Sequence, residues 1–282
     1  MPSSSLASRV QIGAEALLRQ FPALENAAFM LQVGTGFDTS GLLDETIGAA
    51  AMHEVLALPQ TASPAGHPLR FELGRCGQQT ILLAHGRRHL YEGFGIDACV
   101  LPVCAALRCG VRNVIGVSAV GGVRCELKPG TVLCVTDFIN NLGTSPLVGN
   151  QELGTTPFPD MSQAFSQALI AEFVNAAGRV GLTPRLGVYQ ANLGPQFESP
   201  AETAIARENG ADVVGMSLVP ETIMAHAMGA RMMGLAMVSN AAAEFGQKVP
   251  SHDDVLESIA FASHVVVRAL RQFFLDCDSE VL

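Results

Sequence analysis

Residues 96–122 read IDACVLPVCAALRCGVRNVIGVSAVGG. Ile96 to Arg108 has helical spacing, and Gly110 stops the helix. Val111 to Val117 then reads as a strand, followed by small residues expected to form a turn, Ser118-Ala119-Val120-Gly121-Gly122. A helix that stops at glycine and runs into a short apolar strand points to an α/β fold, provided the alternation continues on both sides.

It does continue. Upstream, Ser5 to Gln20 predicts a helix, with Leu6, Val10, Ile12, Ala16, Leu17 and Leu18 partly on one face. Ala28 to Val33 is a buried strand feeding Gly34-Thr35-Gly36, and Leu69 to Leu73 and Thr80 to Ala84 are two strands joined through Gly74 to Gln79. Downstream, strands are expected at Thr131 to Asp137, Leu186 to Gln190, Val213 to Met216 and Met232 to Ser239. Helices are expected at Ser162 to Gly181, Pro200 to Asn209, Pro220 to Gly229 and from Ser251 on, where Asp253 and Asp254 suit the helix dipole. Ser145 to Pro159, rich in Pro, Gly and Thr, is a loop. No linker, repeat or low-complexity stretch divides the chain, so residues 1–282 are read as one α/β domain with a largely parallel or mixed sheet.

Composition narrows the function. The 282 residues are 49% apolar and 15% charged, which calls for extensive burial, including at a subunit interface. The formal net charge is −9 and no Lys/Arg-rich stretch stands out, which argues against nucleic acid as a partner. The seven cysteines form no C-x-x-C pair and are odd in number; they read as reduced, mostly buried thiols of a cytoplasmic enzyme. No signal peptide and no transmembrane run is expected.

Familiar motifs fail. Gly34-Thr35-Gly36 has Thr39 where G-x-G-x-x-G needs its last glycine, and there is no Walker sequence and no H-E-x-x-H. Gly116-Val117-Ser118-Ala119-Val120 and Gly215-Met216-Ser217-Leu218-Val219 each lack the final glycine of a serine-hydrolase elbow. No cofactor and no metal is called for. What remains is a set of strand ends in small or polar residues: Gly34-Thr35-Gly36, Ser118 to Gly122, Gly215-Met216-Ser217 and Ser239-Asn240. Ligands sit at the carboxyl ends of strands in open α/β sheets, and small residues there let backbone N–H groups approach an anion. Each such turn taken alone is ordinary turn chemistry. His85-Gly86-Arg87-Arg88-His89-Leu90-Tyr91-Glu92-Gly93 is denser, with an Arg fork and a His suited to phosphate; the competing reading is an exposed polar loop.

These segments, together with Gly66-His67, Gly194-Pro195-Gln196-Phe197-Glu198-Ser199 and Val214-Gly215-Met216-Ser217-Leu218-Val219-Pro220-Glu221, occur in the order of the trimeric purine nucleoside phosphorylases. From about residue 28 to 271 the chain resembles that family and its relatives, the methylthioadenosine phosphorylases. The resemblance implies a single domain with a central twisted mixed β-sheet flanked by helices. It implies a homotrimer that uses inorganic phosphate as co-substrate and no cofactor. Thr35, Arg87, His89, the backbone of Ala119 and Ser217 would hold the phosphate, with His67 on a mobile loop near it. Glu198 and Asn240 would hold the base, Phe197 and Met216 would pack on base and sugar, and Tyr91 and Met216 would contact the ribose. His252 would lie near the 5′-hydroxyl, and Phe158 would reach into a neighbouring subunit's site. Asn240, Glu198 and His89 are the implied catalytic set.

The chemistry of a nucleoside C1′–N9 bond agrees. Its cleavage puts positive charge on the ribose and negative charge on the leaving purine, and preorganised groups can stabilise both. An ionised Glu198 only accepts hydrogen bonds, so it matches the N1–H of a 6-oxopurine and opposes N1 of adenine. Asn240 can accept from a protonated N7 and donate to O6. In methylthioadenosine phosphorylases the position matching Asn240 is typically Asp. Thr35 and Ser118-Ala119-Val120 lean the other way, towards the methylthioadenosine branch. That branch, a hydrolase using water in place of phosphate, and a non-catalytic nucleoside-binding protein are the alternatives.

Overall fold

The computed structural model describes residues 5–34, 36–56, 58, 69–241 and 252–277, the side chains of 241, 252–258 and 261 excepted. Its strands are β1 Phe29–Val33, β2 Glu45–Ala51, β3 Arg70–Cys76, β4 Gln79–His85, β5 Asn113–Gly122, β6 Val132–Asn140, β7 Arg185–Ala191, β8 Val213–Gly215 and β9 Arg231–Ala241. Its helices are α1 Leu6–Gln20, α2 Met52–Leu56, α3 Ile96–Arg108, α4 Gln167–Arg179, α5 Pro200–Glu208, α6 Val219–Ala227 and α7 His252–Asp276. Caps explain several boundaries. Ser5 accepts from the Ser8 N–H, Ser166 from Leu169, and Ser199 from Glu202 while the Glu202 carboxylate takes the Ser199 N–H. Helix α4 begins at Gln167, later than the expected Ser162, because Ser162 is held to Asp160 by both its N–H and its hydroxyl.

The sheet is mixed and runs β2-β3-β4-β1-β5-β8-β7-β6-β9, and β9 also pairs in parallel with β5. The last five strands therefore close into a ring, and β2-β3-β4-β1 extends from it as an open wing. Strand β5 is the hinge between the two. Its first residues pair with β1, its last two with β8 in antiparallel, and it follows β9 from Asn113 to Gly122. This corrects the expected turn at 118–122: Ser118, Ala119, Val120, Gly121 and Gly122 all belong to the strand. Pairing with β9 carries the strand through them, and an irregularity in the β9 register between Val120 and Gly121 takes up the bend.

Helices α1, α2 and α3 pack together with α6 joined to α3, while α4 packs on α7, which reaches β9 and β3. The core includes edge-to-face contacts of Phe29 with Phe273 and Phe274. Met224, Met232, Met233 and Met237 are core residues, and the partly buried Met228 packs against that core. Six of the seven cysteines are buried and Cys125 is exposed; all are free thiols. Burial pushes the Cys109 and Cys134 thiols up to about 12. Among the described residues, no helix is long and apolar enough to cross a membrane, and no group of His, Cys, Asp or Glu is arranged to hold a metal ion.

Candidate active site

Arg87 follows the end of β4 and is 1% exposed. Its Nη2 donates to the carbonyls of Gln32 (3.3 Å) and Val117 (2.9 Å). Its Nε lies 3.5 Å from the Glu221 carboxylate, itself 2% exposed. Nη1 donates to Ser217 Oγ at 2.9 Å. Of the five N–H groups of the guanidinium, four face protein groups, and the second on Nη1 has no acceptor among the described residues. Much of the fork read from the sequence as suited to phosphate is thus committed to protein groups, with the Ser217 hydroxyl beside it.

That hydroxyl is placed by topology. Strand β8 meets only the last two residues of β5, in antiparallel, so the chain leaving β8 heads back towards Ser118. The Ser217 and Ser118 hydroxyls share a hydrogen bond at 2.8 Å, and the Tyr189 hydroxyl accepts from the Ser217 N–H at 3.2 Å. Tyr189 is fully buried, and burial raises its phenol despite the serine hydrogen bonds that oppose the shift. Immediately after Ser217, Leu218 has φ 66 and ψ −50, and the Val219 N–H closes on the Ser217 carbonyl at 2.7 Å. This is a γ-turn of the strained hand, found at the start of α6 beside the site. The Leu218 side chain is buried where Gly116 leaves room: a Cβ there would lie 2.6 Å from Leu218 Cδ1.

His89 and Tyr91 lie on the segment after Arg87, their rings stacked at 4.9 Å. Both carboxylate oxygens of Glu92 turn back on this segment. Oε1 accepts from the His89 N–H at 2.6 Å and Oε2 from Arg88 Nη1 at 2.6 Å, while the Arg88 guanidinium rests on the Phe94 ring at 4.7 Å. Burial alone would raise the Glu92 carboxyl, but the hydrogen bonds from His89 and Arg88 outweigh it and hold it down at about 2. Burial, then the Glu92 charge, pushes the Tyr91 phenol up to about 12. Tyr91 is therefore a neutral hydroxyl at physiological pH.

A second polar group gathers where β6 and β7 end. Glu198 Oε1 accepts from Asn192 Nδ2 at 2.6 Å, and Asn192 Oδ1 accepts from Gln190 Nε2 at 2.9 Å and Asn141 Nδ2 at 3.0 Å. Sheet register ties this group to Asn240: Gln190 pairs with Val214, Val214 with Gly121, and Gly121 with Asn240. The Ser239 hydroxyl lies between Asn240 Oδ1 at 2.7 Å and the Val120 carbonyl at 3.2 Å, and the shorter contact takes its one proton and orients the amide. Met216 lies over Gly194, whose φ of 70 and lack of a side chain let the 194–198 segment approach it.

The structure thus joins Arg87 and Ser217 directly and sets Ala119 next to Ser118. It seats Met216 on the segment carrying Phe197, which is 43% exposed, and Glu198. Phe158 stands apart at 88% exposed. His252 opens α7, its side chain outside the described part, and Thr35 and His67 fall outside the described residues. The sequence reading did not single out Tyr189, Glu221, Asn192, Gln190 or Asn141 for a role. Tyr189 is one of only two tyrosines in the chain, the one signal that could have marked it. The asparagines and Gln190 carry none, because their partners come from other strands.

Comparison with known proteins agrees with this architecture. Residues 40–274 match the model of the phosphorylase superfamily. The purine nucleoside phosphorylase 1 of Geobacillus stearothermophilus is 34% identical over 257 residues, 88% of this chain and 90% of that protein. That of Bacillus subtilis is 34% identical over 252 residues, 88% and 91% of the two chains. The crystal structure of Schistosoma mansoni purine nucleoside phosphorylase in complex with adenosine superposes with a TM-score of 0.86 at 26% identity, covering 96% of this chain and 98% of that one. The chain belongs to the phosphorylase superfamily and, within it, to the purine nucleoside phosphorylase family.

Proposed function

We propose that this enzyme cleaves 6-oxopurine nucleosides with inorganic phosphate, giving free base and ribose 1-phosphate, and works as a cytoplasmic homotrimer without metal or organic cofactor. The observation that carries the reading is the buried Arg87–Ser217–Ser118 cluster, which joins a guanidinium to two hydroxyls at adjoining strand ends. Phosphate is held there by Thr35, Arg87, Ser217, the Ala119 N–H and His89, with His67 assigned near it. One oxygen of hydrogen phosphate bonds to C1′ as the C1′–N9 bond breaks and its electron pair enters the purine, whose N7 takes up a proton from solvent while the phosphate gives one up to solvent as it becomes the ester. The phosphate charge stabilises the cationic sugar, and positioning replaces covalent catalysis. Glu198 accepts the N1–H of the base. Asn240, oriented by Ser239, accepts from N7–H and donates to O6. Tyr91 and Met216 hold the ribose, Phe197 covers the base, His252 serves the 5′-hydroxyl, and Phe158 completes a neighbour's site.

The test is base release from inosine and from methylthioadenosine, each with and without phosphate. Phosphate-dependent hypoxanthine release with little adenine is the expected result. Phosphate-dependent adenine release would move the enzyme to the methylthioadenosine branch. Release without phosphate would overturn the anion site, and no release would leave a binding protein.

A further inference from the structure

Asn192 has both faces of its amide committed, and the direction of that commitment is dictated by its neighbours. An ionised carboxylate can only accept, so the group facing Glu198 Oε1 at 2.6 Å is the Asn192 Nδ2. Oδ1 then faces inward and receives two donors, Gln190 Nε2 at 2.9 Å and Asn141 Nδ2 at 3.0 Å. Gln190 keeps this orientation although its own Oε1 is left buried without a partner. The backbone holds the arrangement from three strands. The Asn192 N–H donates to the Gly215 carbonyl at 2.8 Å, at the end of β8, and the Asn141 N–H to the Ala191 carbonyl at 3.0 Å, where β6 meets β7. Hydrogen bonds at both ends hold the Asn192 amide in this orientation, and its bond to Oε1 at 2.6 Å restrains the Glu198 carboxylate.

We propose that Asn192 is a positioning residue that occupies Glu198 Oε1 and leaves Oε2 as the one acceptor for the base, so that the Asn141–Gln190–Asn192 chain sets the preference for a purine carrying N1–H. The inference rests on the reading of Glu198 as the base-binding carboxylate. A pinned Oε2 opposes N1 of adenine, acceptor against acceptor. A carboxylate able to rotate would instead take a hydrogen bond from the 6-amino group and tolerate adenine. The discrimination therefore depends on a residue that does not touch the base.

The experiment compares kcat/KM for inosine and adenosine in the wild type, Asn192→Leu, Asn192→Asp, Asn141→Ala and Glu198→Ala, with thermal melting of each. Asn192→Leu removes the pin at similar volume, and the inosine-to-adenosine ratio should fall by about tenfold or more, mainly through KM for inosine. Asn192→Asp places two carboxylates together, which share a proton. Its ratio should fall and vary with pH between about 5 and 8, which a merely structural role would not produce. Asn141 is exposed, and its loss removes one of the two donors to Oδ1. Asn141→Ala should shift the ratio in the same direction by a smaller factor, and it decides the matter if the Asn192 variants do not fold. Wild-type ratios in all folded variants, alongside a Glu198→Ala enzyme that has lost its selectivity, would overturn the inference. A Glu198→Ala enzyme with unchanged selectivity would instead overturn the reading of Glu198 on which it rests.

Discussion

Arg87 and Glu221 form a buried ion pair with loose geometry, 3.5 Å between Nε and Oε1, and neither Glu221 oxygen has a hydrogen bond. Such a pair adds little net stability, yet breaking it strands a charge. Arg87→Met should destabilise the protein by about 3–5 kcal/mol and abolish phosphorolysis. Adding Glu221→Leu should restore at least half of that stability without restoring activity, as read from urea unfolding; a further loss in the double variant would contradict the account. Glu92 makes a pH-dependent contribution. Its folded pKa, about 2, lies below the ordinary value of 4.5, so the stabilisation is complete above about pH 5 and drains away as pH falls towards 2. At 7% side-chain exposure solvent screens it little, and the contribution is on the order of 2–3 kcal/mol. Glu92→Gln should therefore narrow the stability difference between pH 7 and pH 3 by that amount. Identical pH slopes for variant and wild type would refute it.

At the scale of elements, the turn at Leu218 aims Ser217, and it is held by the space that Gly116 and Gly234 leave for the leucine side chain. Gly116→Ala sets a methyl 2.6 Å from Leu218 Cδ1 and 3.0 Å from Met232 Cε. The methionine end can yield, but Leu218 is locked by the γ-turn. The expected cost is about 1–3 kcal/mol of stability, with KM for phosphate rising more than KM for the nucleoside as Ser217 shifts. Gly178, within α4, has nothing near its would-be Cβ, and Gly178→Ala should stabilise by about 0.5–1 kcal/mol with phosphate KM unchanged. Elements of this kind mark how far the sequence could be read. Helix α3 matched its spacing to the residue, Ile96 to Arg108, because an apolar helix with Asp97 in its first turn, Arg108 in its last and a glycine just beyond is a local signal. Strand β2 went unseen: Glu45–Ala51, Glu-Thr-Ile-Gly-Ala-Ala-Ala, is a largely exposed edge segment without apolar alternation. Residues 118–122 look like a turn by composition, and pairing with β9 along their length, and with β8 at Gly121 and Gly122, both about a hundred residues or more away in the chain, makes them strand. In the candidate site, the motifs pointed to Arg87, Ser217 and Glu198 as candidates, whereas Tyr189 and Asn192 come in only through register between strands.

The whole molecule leaves an apolar residue without cover. The ring of β5, β8, β7, β6 and β9 brings Ser118, Ser217 and Asn192 to adjoining strand ends, and the 145–159 loop then runs outward with Val148 72% and Phe158 88% exposed. Within one chain, a phenylalanine that exposed contributes almost nothing to folding, since the stabilisation from an apolar side chain scales with the area it removes from water. Its contribution must come from a second copy if it has one. The proposed trimer makes two linked expectations. The mass in solution should be three times the 29.6 kDa of the chain, and Phe158→Ala should raise KM for the nucleoside by about tenfold, the value of an aromatic contact closing a pocket. Because the mutated side chain is solvent-facing in its own subunit, the monomer fold should be untouched and the far-ultraviolet spectrum unchanged. Mixing Phe158→Ala subunits with subunits carrying Arg87→Met then discriminates between models. If Phe158 serves its own chain, neither parent nor any hybrid has an intact site. If it serves a neighbour, Arg87→Met subunits supply the aromatic to the intact phosphate sites of their Phe158→Ala partners, and low-KM turnover returns in hybrids alone.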